Sequence, residues 1–445
     1  MIQAPPDSGL PDSGVGSRNL ERRTPRQSGG ARRRRRRRLL RFVGTLSLIQ
    51  GIALAAIVAW DGTAFWRVAR VIGVLALTAI VVRLQRPERT RKVSFLTLAW
   101  GALGVAVGVG IGVVHLVKAG PSVYATLALV CLLTGLAATA RAFLRLIRRL
   151  KSWRRLIAVP GAAIALTLVY YPLTVAMIAT NTPRVGIGTA LPSDWGLAFE
   201  DVEFSTPDGI ELSGWFMPGS NGAGVVLLHG GGGGSNRTAV LSHARVLVDH
   251  GYNVLAFDAR GHGRSSGDGM EWGWYGDLDI AGALDFLVSR DGIDPDRLAT
   301  VGLSMGGEQA ITAAASDPRI RAVVAEGATN RVLGDDDAVL PRHPGRWVNI
   351  AADWIKYGVA DWISGARPPM ALTSAVAAIA PRPVLLISAG TVADEGRAAF
   401  NFQAAAPDSV QVWDVPGAGH TSGLLTAPTE WENLVTSFLD HAIGN

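Results

Sequence analysis

The sequence contains a single cysteine, Cys131, in 445 residues. One thiol cannot form an intramolecular disulfide, and the eight histidines are scattered without the spacing of a zinc finger. Charged residues are also scarce, at 18%, whereas 48% of residues are hydrophobic, which excludes a wholly disordered chain. The fold must therefore be stabilised by packing.

Acidic residues are nearly missing from the N-terminal part. Residues 1–183 hold 5 of the 36 Asp and Glu but 27 of the 43 Lys and Arg, which leaves 31 acidic and 16 basic residues in 184–445. An isoelectric point near 10.0 in a one-piece protein would suggest a nucleic acid partner. Here the basic residues flank long apolar runs, so we expect no nucleic acid partner and interpret the asymmetry as membrane topology.

The N-terminal part contains five stretches without Asp, Glu, Lys or Arg. A bilayer requires roughly 20 apolar residues per helix, and the second stretch reaches that length only if Arg67 and Arg70 extend to the headgroups. We therefore predict a disordered basic cytoplasmic tail over 1–38, a transmembrane domain of about five helices over 39–183 and a linker over 184–196. The five stretches are Phe42 to Trp60, Val71 to Val82, Val93 to Val117, Ala119 to Ala140, and Leu156 to Pro183.

Basic segments predict the orientation of this membrane domain. Arginines cluster in Arg32 to Arg38, after the second stretch and after the fourth stretch, and positive segments remain cytoplasmic. An odd number of spans then places 184–445 on the extracytoplasmic side. Because the stretches contain no Asp or Glu, a membrane anchor is favoured over a proton-coupled transporter.

The C-terminal part alternates short apolar strands with amphipathic helices, which is typical of an α/β fold. An opening hairpin is expected around the turn Pro207-Asp208-Gly209. The later strand candidates are continuous Val, Leu and Ile runs, which predict parallel strands covered on both faces. They are Gly224 to Leu228, Asn253 to Phe257, Arg297 to Val301, Ala322 to Ala325, Val384 to Ser388, and Val410 to Val415.

A serine lies between one of these strands and a helix. Gly302-Leu303-Ser304-Met305-Gly306 has the pattern G-x-S-x-G in the strand-to-helix context that exposes a nucleophilic hydroxyl. Upstream, a run of glycines follows His229 and lacks the Lys-Ser/Thr ending of a phosphate loop. With Ser304 on its turn, the N–H groups of Gly231 and Met305 are predicted to form an oxyanion hole.

A serine nucleophile requires a base, and a histidine and an acid follow two later strands. His420 comes after the strand ending at Val415, and Asp394 and Glu395 come after the strand ending at Ser388. Our first choice for the orienting acid is Asp394, with Glu395 as its rival, because adjacent side chains point in different directions.

These motifs resemble the serine-dependent α/β-hydrolase superfamily. The resemblance covers about residues 197–445 and is carried by Gly302 to Gly307, His229 to Gly234, Phe257 to Ser265 and Gly417 to His420. It is greatest to the serine aminopeptidase-like or dipeptidyl-aminopeptidase/acylaminoacyl-peptidase-like branch, in which esterases and peptidases are mixed. The resemblance implies a catalytic triad, a structural role for Asp258, His262 and Arg264, and neither cofactor nor metal.

An inserted helical cap is expected at about 330–375. Trp347, Trp354 and Trp362 recur there at spacings of seven and eight, which places three indoles on one helical face. This face is interpreted first as packing against the core, with an apolar substrate pocket or contact with the bilayer as alternatives. Asp335, Asp336 and Asp337 are expected to be solvated.

These inferences favour a membrane-anchored serine hydrolase with Ser304, His420 and Asp394 as its triad. Its partners would be a small-molecule or lipid-like ester, or else a peptide, and the lipid bilayer. The alternatives are a peptidase of the same fold and a non-catalytic membrane sensor or scaffold that uses the fold as a binding module.

Overall fold

The computed structural model describes residues 26–59, 64–85, 92–148, 152–232, 235–341 and 346–444. Most of the predicted tail, residues 1–25, and most of the basic loop around Arg89 lie outside the described residues. So do Gly233 and Gly234 of the glycine loop. All statements below concern the described part.

The N-terminal part consists of helices. They are α1 (Arg26–Val58), α2 (Ala64–Leu84), α3 (Lys92–Val107), a π-helical segment (Gly108–Val113) that continues into α4 (Val114–Ala119), α5 (Val123–Ile147) and α6 (Ser152–Ala179). Because α1 begins at Arg26, the prediction of disorder is wrong for residues 26–38. Arginine has a high helix propensity, and the run simply extends the apolar helix toward its N-terminus.

Two helical stretches in the described part are long and apolar enough to cross a membrane, Phe95–Ala119 and Val123–Arg145. Shorter apolar stretches occur at Phe42–Val58 and Leu168–Ala179. Five spans therefore stay a prediction.

The glycines of residues 101–112 allow two of these helices to approach closely. A Cβ atom added at Gly104 would lie 2.8 Å from the carbonyl oxygen of Cys131, and one at Gly112 would lie 2.9 Å from the amide nitrogen of Leu129. Any larger side chain would therefore push α3 and its π-helical continuation away from α5.

The C-terminal part contains one sheet of eight strands in the order β1-β2-β4-β3-β5-β6-β7-β8. The pairs β1/β2 and β2/β4 are antiparallel, and all later pairs are parallel. This mixed sheet confirms the predicted α/β class. The strands are β1 (Glu200–Ser205), β2 (Glu211–Met217), β3 (Gly224–Leu228), β4 (Asn253–Phe257), β5 (Leu298–Leu303), β6 (Ile320–Glu326), β7 (Val384–Ala389) and β8 (Val410–Val415).

Helices cover both faces of this sheet, and a large apolar cluster lies on each side. Strands β3, β4, β5 and β7 are buried along their whole length, which explains their uninterrupted apolar sequences. The helices are α7 (Leu241–Asp249), α8 (Gly276–Val288), α9 (Met305–Ser316), α10 (Asp336–Val339), α11 (Arg346–Ser364), α12 (Leu372–Ile379), α13 (Ala393–Ala405), α14 (Gly423–Thr426) and α15 (Pro428–Ile443). The predicted cap corresponds to α10, α11 and the start of α12.

The N-terminal helices are tied directly to the sheet domain at the end of α6. The Glu271 amide donates a hydrogen bond to the Ala179 carbonyl (2.9 Å), and the Arg184 guanidinium donates to the Gly267 carbonyl (2.8 Å). The predicted linker is not a free tether, since Ile187 within it is buried in a core cluster of the sheet domain. The loop that carries Glu271 is therefore fixed against the last turn of α6.

Candidate active site

The serine turn has a strained backbone. Ser304 has φ 53° and ψ −120°, a conformation that an L-residue adopts only when its surroundings impose it. A Cβ at Gly306 would lie 2.6 Å from the His229 carbonyl oxygen, and one at Gly302 would overlap the backbone of Gly306. Glycine is needed at both positions because β5 turns sharply into α9.

Three side chains at the carboxyl ends of strands form one hydrogen-bonded chain. The Nε2 atom of His420 lies 2.9 Å from Oγ of Ser304, and its Nδ1 atom lies 2.6 Å from Oε1 of Glu395. The other oxygen of Glu395 accepts a hydrogen bond from the Ala389 amide (2.9 Å). The histidine is thus held between a hydroxyl and a buried, fixed carboxylate.

The acid at His420 is Glu395, so the prediction of Asp394 for this position is wrong. Both residues lie in the first turn of α13, where successive side chains point about 100° apart. Glu395 points toward β7 and is buried, whereas Asp394 points outward and pairs with Arg397 at 2.8 Å. A sequence cannot resolve this choice because it depends on the rotation of the helix about its axis.

The position of Glu395 determines the proton affinity of the histidine. Its hydrogen bond to Nδ1 raises the pKa of His420 above the ordinary value, against the opposing effect of partial burial. The charges of Glu308 and Glu326 act in the same direction. Neither residue was predicted from the sequence: Glu326 ends a buried strand with no motif around it, and Glu308 directly follows the serine motif but is buried within α9.

The glycine loop lies over the serine. A Cβ at Gly230 would be 3.3 Å from Cβ of Ser304, and one at Gly231 would be 3.5 Å from Cβ of Met305. Met305 is the first residue of α9, so its N–H belongs to the group that has no acceptor within the helix. The predicted pair Gly231 and Met305 therefore lies beside Ser304.

Glu271 is a member of this site that sequence reasoning missed. Its Oε2 atom accepts a hydrogen bond from the Gly232 amide. A carboxylate at this place fixes the glycine loop and makes the site unfavourable for anionic groups. The surrounding Met270-Glu271-Trp272 sequence matches no motif, so only the contact of this loop with the glycines reveals the residue.

His229 has a structural position. The Ala259 amide donates to its Nε2 atom (3.0 Å), so the ring proton resides on Nδ1 and is donated to the Gly230 carbonyl (2.7 Å). Complete burial lowers the pKa of His229 to about 3, and His262 adds to the effect. A neutral His229 thus connects the glycine loop to the end of β4.

The loop after β4 is held by a buried aspartate. The carboxylate of Asp258 accepts hydrogen bonds from the amides of Arg237 (2.9 Å) and Arg264 (2.8 Å). The resemblance implied a structural role for this segment, and these contacts are of that kind.

The predicted solvation of the three consecutive aspartates is wrong for two of them. Asp335 and Asp336 are buried, and only Asp337 is exposed. Asp335 accepts hydrogen bonds from the amides of Arg331 (2.9 Å) and Leu372 (2.6 Å), which joins the two ends of the cap. Buried backbone N–H groups require such acceptors.

Trp347, Trp354 and Trp362 are not brought into the site. The three indoles are exposed on the outer face of α11, so neither core packing nor a substrate pocket describes them. A cavity of about 420 Å³ lies among the N-terminal helices and is lined by Val105, Leu136, Tyr170 and neighbouring residues. None of its lining residues belongs to α11 or to the strand ends around Ser304.

Comparisons with known proteins concern mainly the sheet domain. Residues 224–364 match the family model described as the alpha/beta hydrolase fold. Over 139 residues the chain is 33% identical to the uncharacterized protein YfhR of Escherichia coli strain K12. This matched region covers 30% of this chain and 48% of YfhR. Over 129 residues it is 34% identical to the thiohydrolase aneE of Aspergillus aculeatus, covering 28% and 40% of the two chains.

The chain thus spans about half or less of the length of these curated relatives. Among solved structures, the Pyrococcus furiosus esterase Pf2001 has 26% identity and a TM-score of 0.46, covering 59% of this chain and all of that one. The family match, the order of the strands and the turn at Ser304 together identify the C-terminal domain as an alpha/beta hydrolase fold.

Proposed function

We propose that this protein is a serine hydrolase that cleaves acyl esters through a covalent acyl-enzyme. The observation that carries this proposal is the continuous chain Ser304, His420 and Glu395, with distances of 2.9 Å and 2.6 Å. A purely structural role would not require a half-buried hydroxyl on a strained turn, an imidazole within hydrogen-bonding distance and a buried carboxylate behind it.

The proposed reaction has two halves, acylation of Ser304 and hydrolysis of the acyl-enzyme, and the three groups act in both. Oγ of Ser304 attacks the acyl carbonyl while its proton passes to Nε2 of His420. Glu395 holds the Nδ1 proton and stabilises the imidazolium, which then protonates the leaving alcohol. Water attacks the acyl-enzyme in the second half and gives its proton to Nε2 of His420, which passes it to Oγ of Ser304 as the bond between Oγ and the acyl carbon breaks and the carboxylic acid leaves. The N–H groups of Gly231 and Met305 stabilise the oxyanion of both tetrahedral intermediates.

The proposed substrates are uncharged acyl groups in ester or thioester linkage, small or lipid-like. The carboxylate of Glu271 beside the glycine loop disfavours an anionic acyl group. The relative from Aspergillus aculeatus is named a thiohydrolase, and thioesters differ from esters only in the leaving group.

The proposed setting is a membrane, with the hydrolase domain on the extracytoplasmic side. Two helices of sufficient length and apolarity support this proposal, as does the basic character of the segments between the helices. We retain five spans as part of the proposal, with 39–183 as the anchor and 197–445 as the catalytic domain.

A fluorophosphonate probe tests the activity. We expect the purified full-length protein to be labelled and to hydrolyse p-nitrophenyl esters, and Ser304→Ala to lose both properties. Asp394→Asn serves as the matched control, since it removes a charge in the same domain without touching His420. Equal labelling of the wild type and Ser304→Ala would refute the proposal.

A further inference from the structure

The cap helix α11 carries an unusual outer face. Trp347, Trp354 and Trp362 have 70%, 68% and 84% of their surface exposed. At 100° per residue the three lie within about 80° of one another around the helix. Three large apolar side chains in such a stripe are more than the isolated exposed hydrophobic residues of an ordinary surface.

The opposite face of α11 is packed against the N-terminal helices. Tyr357 and Ala360 are buried in one cluster with Ala176 of α6. Val359 and Ile363 pack against the core formed by α1, α3 and α5. The helix therefore lies alongside the end of α6, a helix that itself exposes apolar side chains at Ile164 and Tyr171.

The chemistry of the stripe suits the headgroup region of a bilayer. An indole combines a large apolar ring with one N–H donor, which is why Trp concentrates where hydrocarbon meets water. Asp361 is exposed near the stripe, and a carboxylate would be strongly unfavourable in the hydrocarbon interior. The helix is thus suited to lie along the interface and not to cross the membrane.

We propose that the indole face of α11 rests on the surface of the bilayer that holds the N-terminal helices. This inference depends on the membrane setting proposed above, but not on the catalytic activity. The cap covers the same side of the domain as the loop Met270–Trp274, since Tyr357 of α11 contacts Trp272 at 4.8 Å between ring centroids. Docking of α11 would hold the Ser304 site close to lipid.

Bromine quenching in vesicles tests this contact. The full-length protein is reconstituted in phosphatidylcholine vesicles with bromine at a shallow or a deep acyl position, or with none. We compare the wild type with the variant in which Trp347, Trp354 and Trp362 are replaced by Phe, which keeps an apolar ring but removes the indole fluorescence. In the wild type, bromines at the shallow position should quench tryptophan fluorescence more strongly than bromines at the deep position. Most of this excess of shallow over deep quenching should vanish in the triple variant. Trp413→Phe, in β8, is the control and should keep the excess of shallow over deep quenching seen in the wild type.

Each result has one meaning. A carbonate wash first shows whether the protein remains in the vesicles. If it remains but bromines at neither depth quench the three indoles, the docking proposal is wrong, whereas the proposal that the N-terminal helices anchor the protein stands. Release of the protein by carbonate would overturn the membrane setting and the docking together. Should the triple variant not fold, Trp354→Phe alone must remove a measurable share of the shallow quenching, and its failure to do so would refute the contact. Loss of fluorophosphonate labelling bears only on the catalytic proposal.

Discussion

At the residue scale, the two neighbouring acids of α13 provide a stringent comparison. Glu395→Gln should lower kcat for p-nitrophenyl esters by a large factor, because the neutral amide cannot stabilise the imidazolium. In the serine protease example the corresponding change costs on the order of 10⁴. Asp394→Asn removes only an exposed pair with Arg397 and should change kcat by less than about threefold, since surface ion pairs contribute little. The reverse order of effects would contradict the observed geometry.

The proton affinity of His420 leads to a second prediction. Because only the neutral imidazole accepts the serine proton, kcat/KM should rise with pH through the pKa of His420. Glu395 raises that pKa, so the midpoint should lie above the ordinary value of 6.5. Removing the charge in Glu395→Gln should move the midpoint of the residual activity to lower pH. A pH profile of kcat/KM measures this, and Asp394→Asn should keep the midpoint of the wild type.

Some residues of the candidate site could be predicted from the sequence and others could not. Ser304 and His420 were predictable because glycine spacing and strand order determine where they lie. The choice between Asp394 and Glu395 depends on the rotation of α13, and the role of Glu271 depends on a contact with Gly232 across 39 residues of chain. Both are tertiary effects that leave no local pattern.

At the scale of elements, the junction of β5 and α9 depends on Gly302. A Cβ there would overlap the backbone of Gly306, so Gly302→Ala must push the strand and helix apart. We expect a loss of about 3 kcal/mol or more in the free energy of unfolding, at the upper end for overpacked sites.

Gly358→Ala is the matched control for this prediction. Gly358 lies within α11, and a Cβ there would meet no atom within 4 Å. Alanine should stabilise the helix by up to about 1 kcal/mol through its higher propensity. Thermal unfolding of the two variants measures both effects, and equal melting temperatures would contradict the argument.

The strand pattern and the presence of a cap were predictable at this scale, but the direction in which the faces of the cap helix point was not. All eight strands follow from apolar runs or from alternation around a turn, because burial on the faces of a sheet demands them. The outward direction of the three tryptophans does not follow, since a stripe on a helix shows that one face is apolar without showing what covers it. In α11 the tighter face, with Tyr357 and Ala360, is the one that packs.

At the scale of the whole molecule, the charge asymmetry between the two parts predicts an orientation across the membrane. Since the native Cys131 is buried, a cysteine introduced at the surface can be labelled selectively. We choose Asp291→Cys in the exposed loop before β5 and Arg148→Cys at the end of α5, in the basic segment expected to be cytoplasmic.

A membrane-impermeant maleimide applied to intact cells should label Asp291→Cys, because 184–445 is expected outside. Arg148→Cys should react only after the membrane is opened, since its basic segment is held on the cytoplasmic side. Labelling of Arg148→Cys alone in intact cells would invert the topology. Labelling of neither residue before lysis would place both on the same side, which requires an even number of spans between the basic N-terminus and the hydrolase domain.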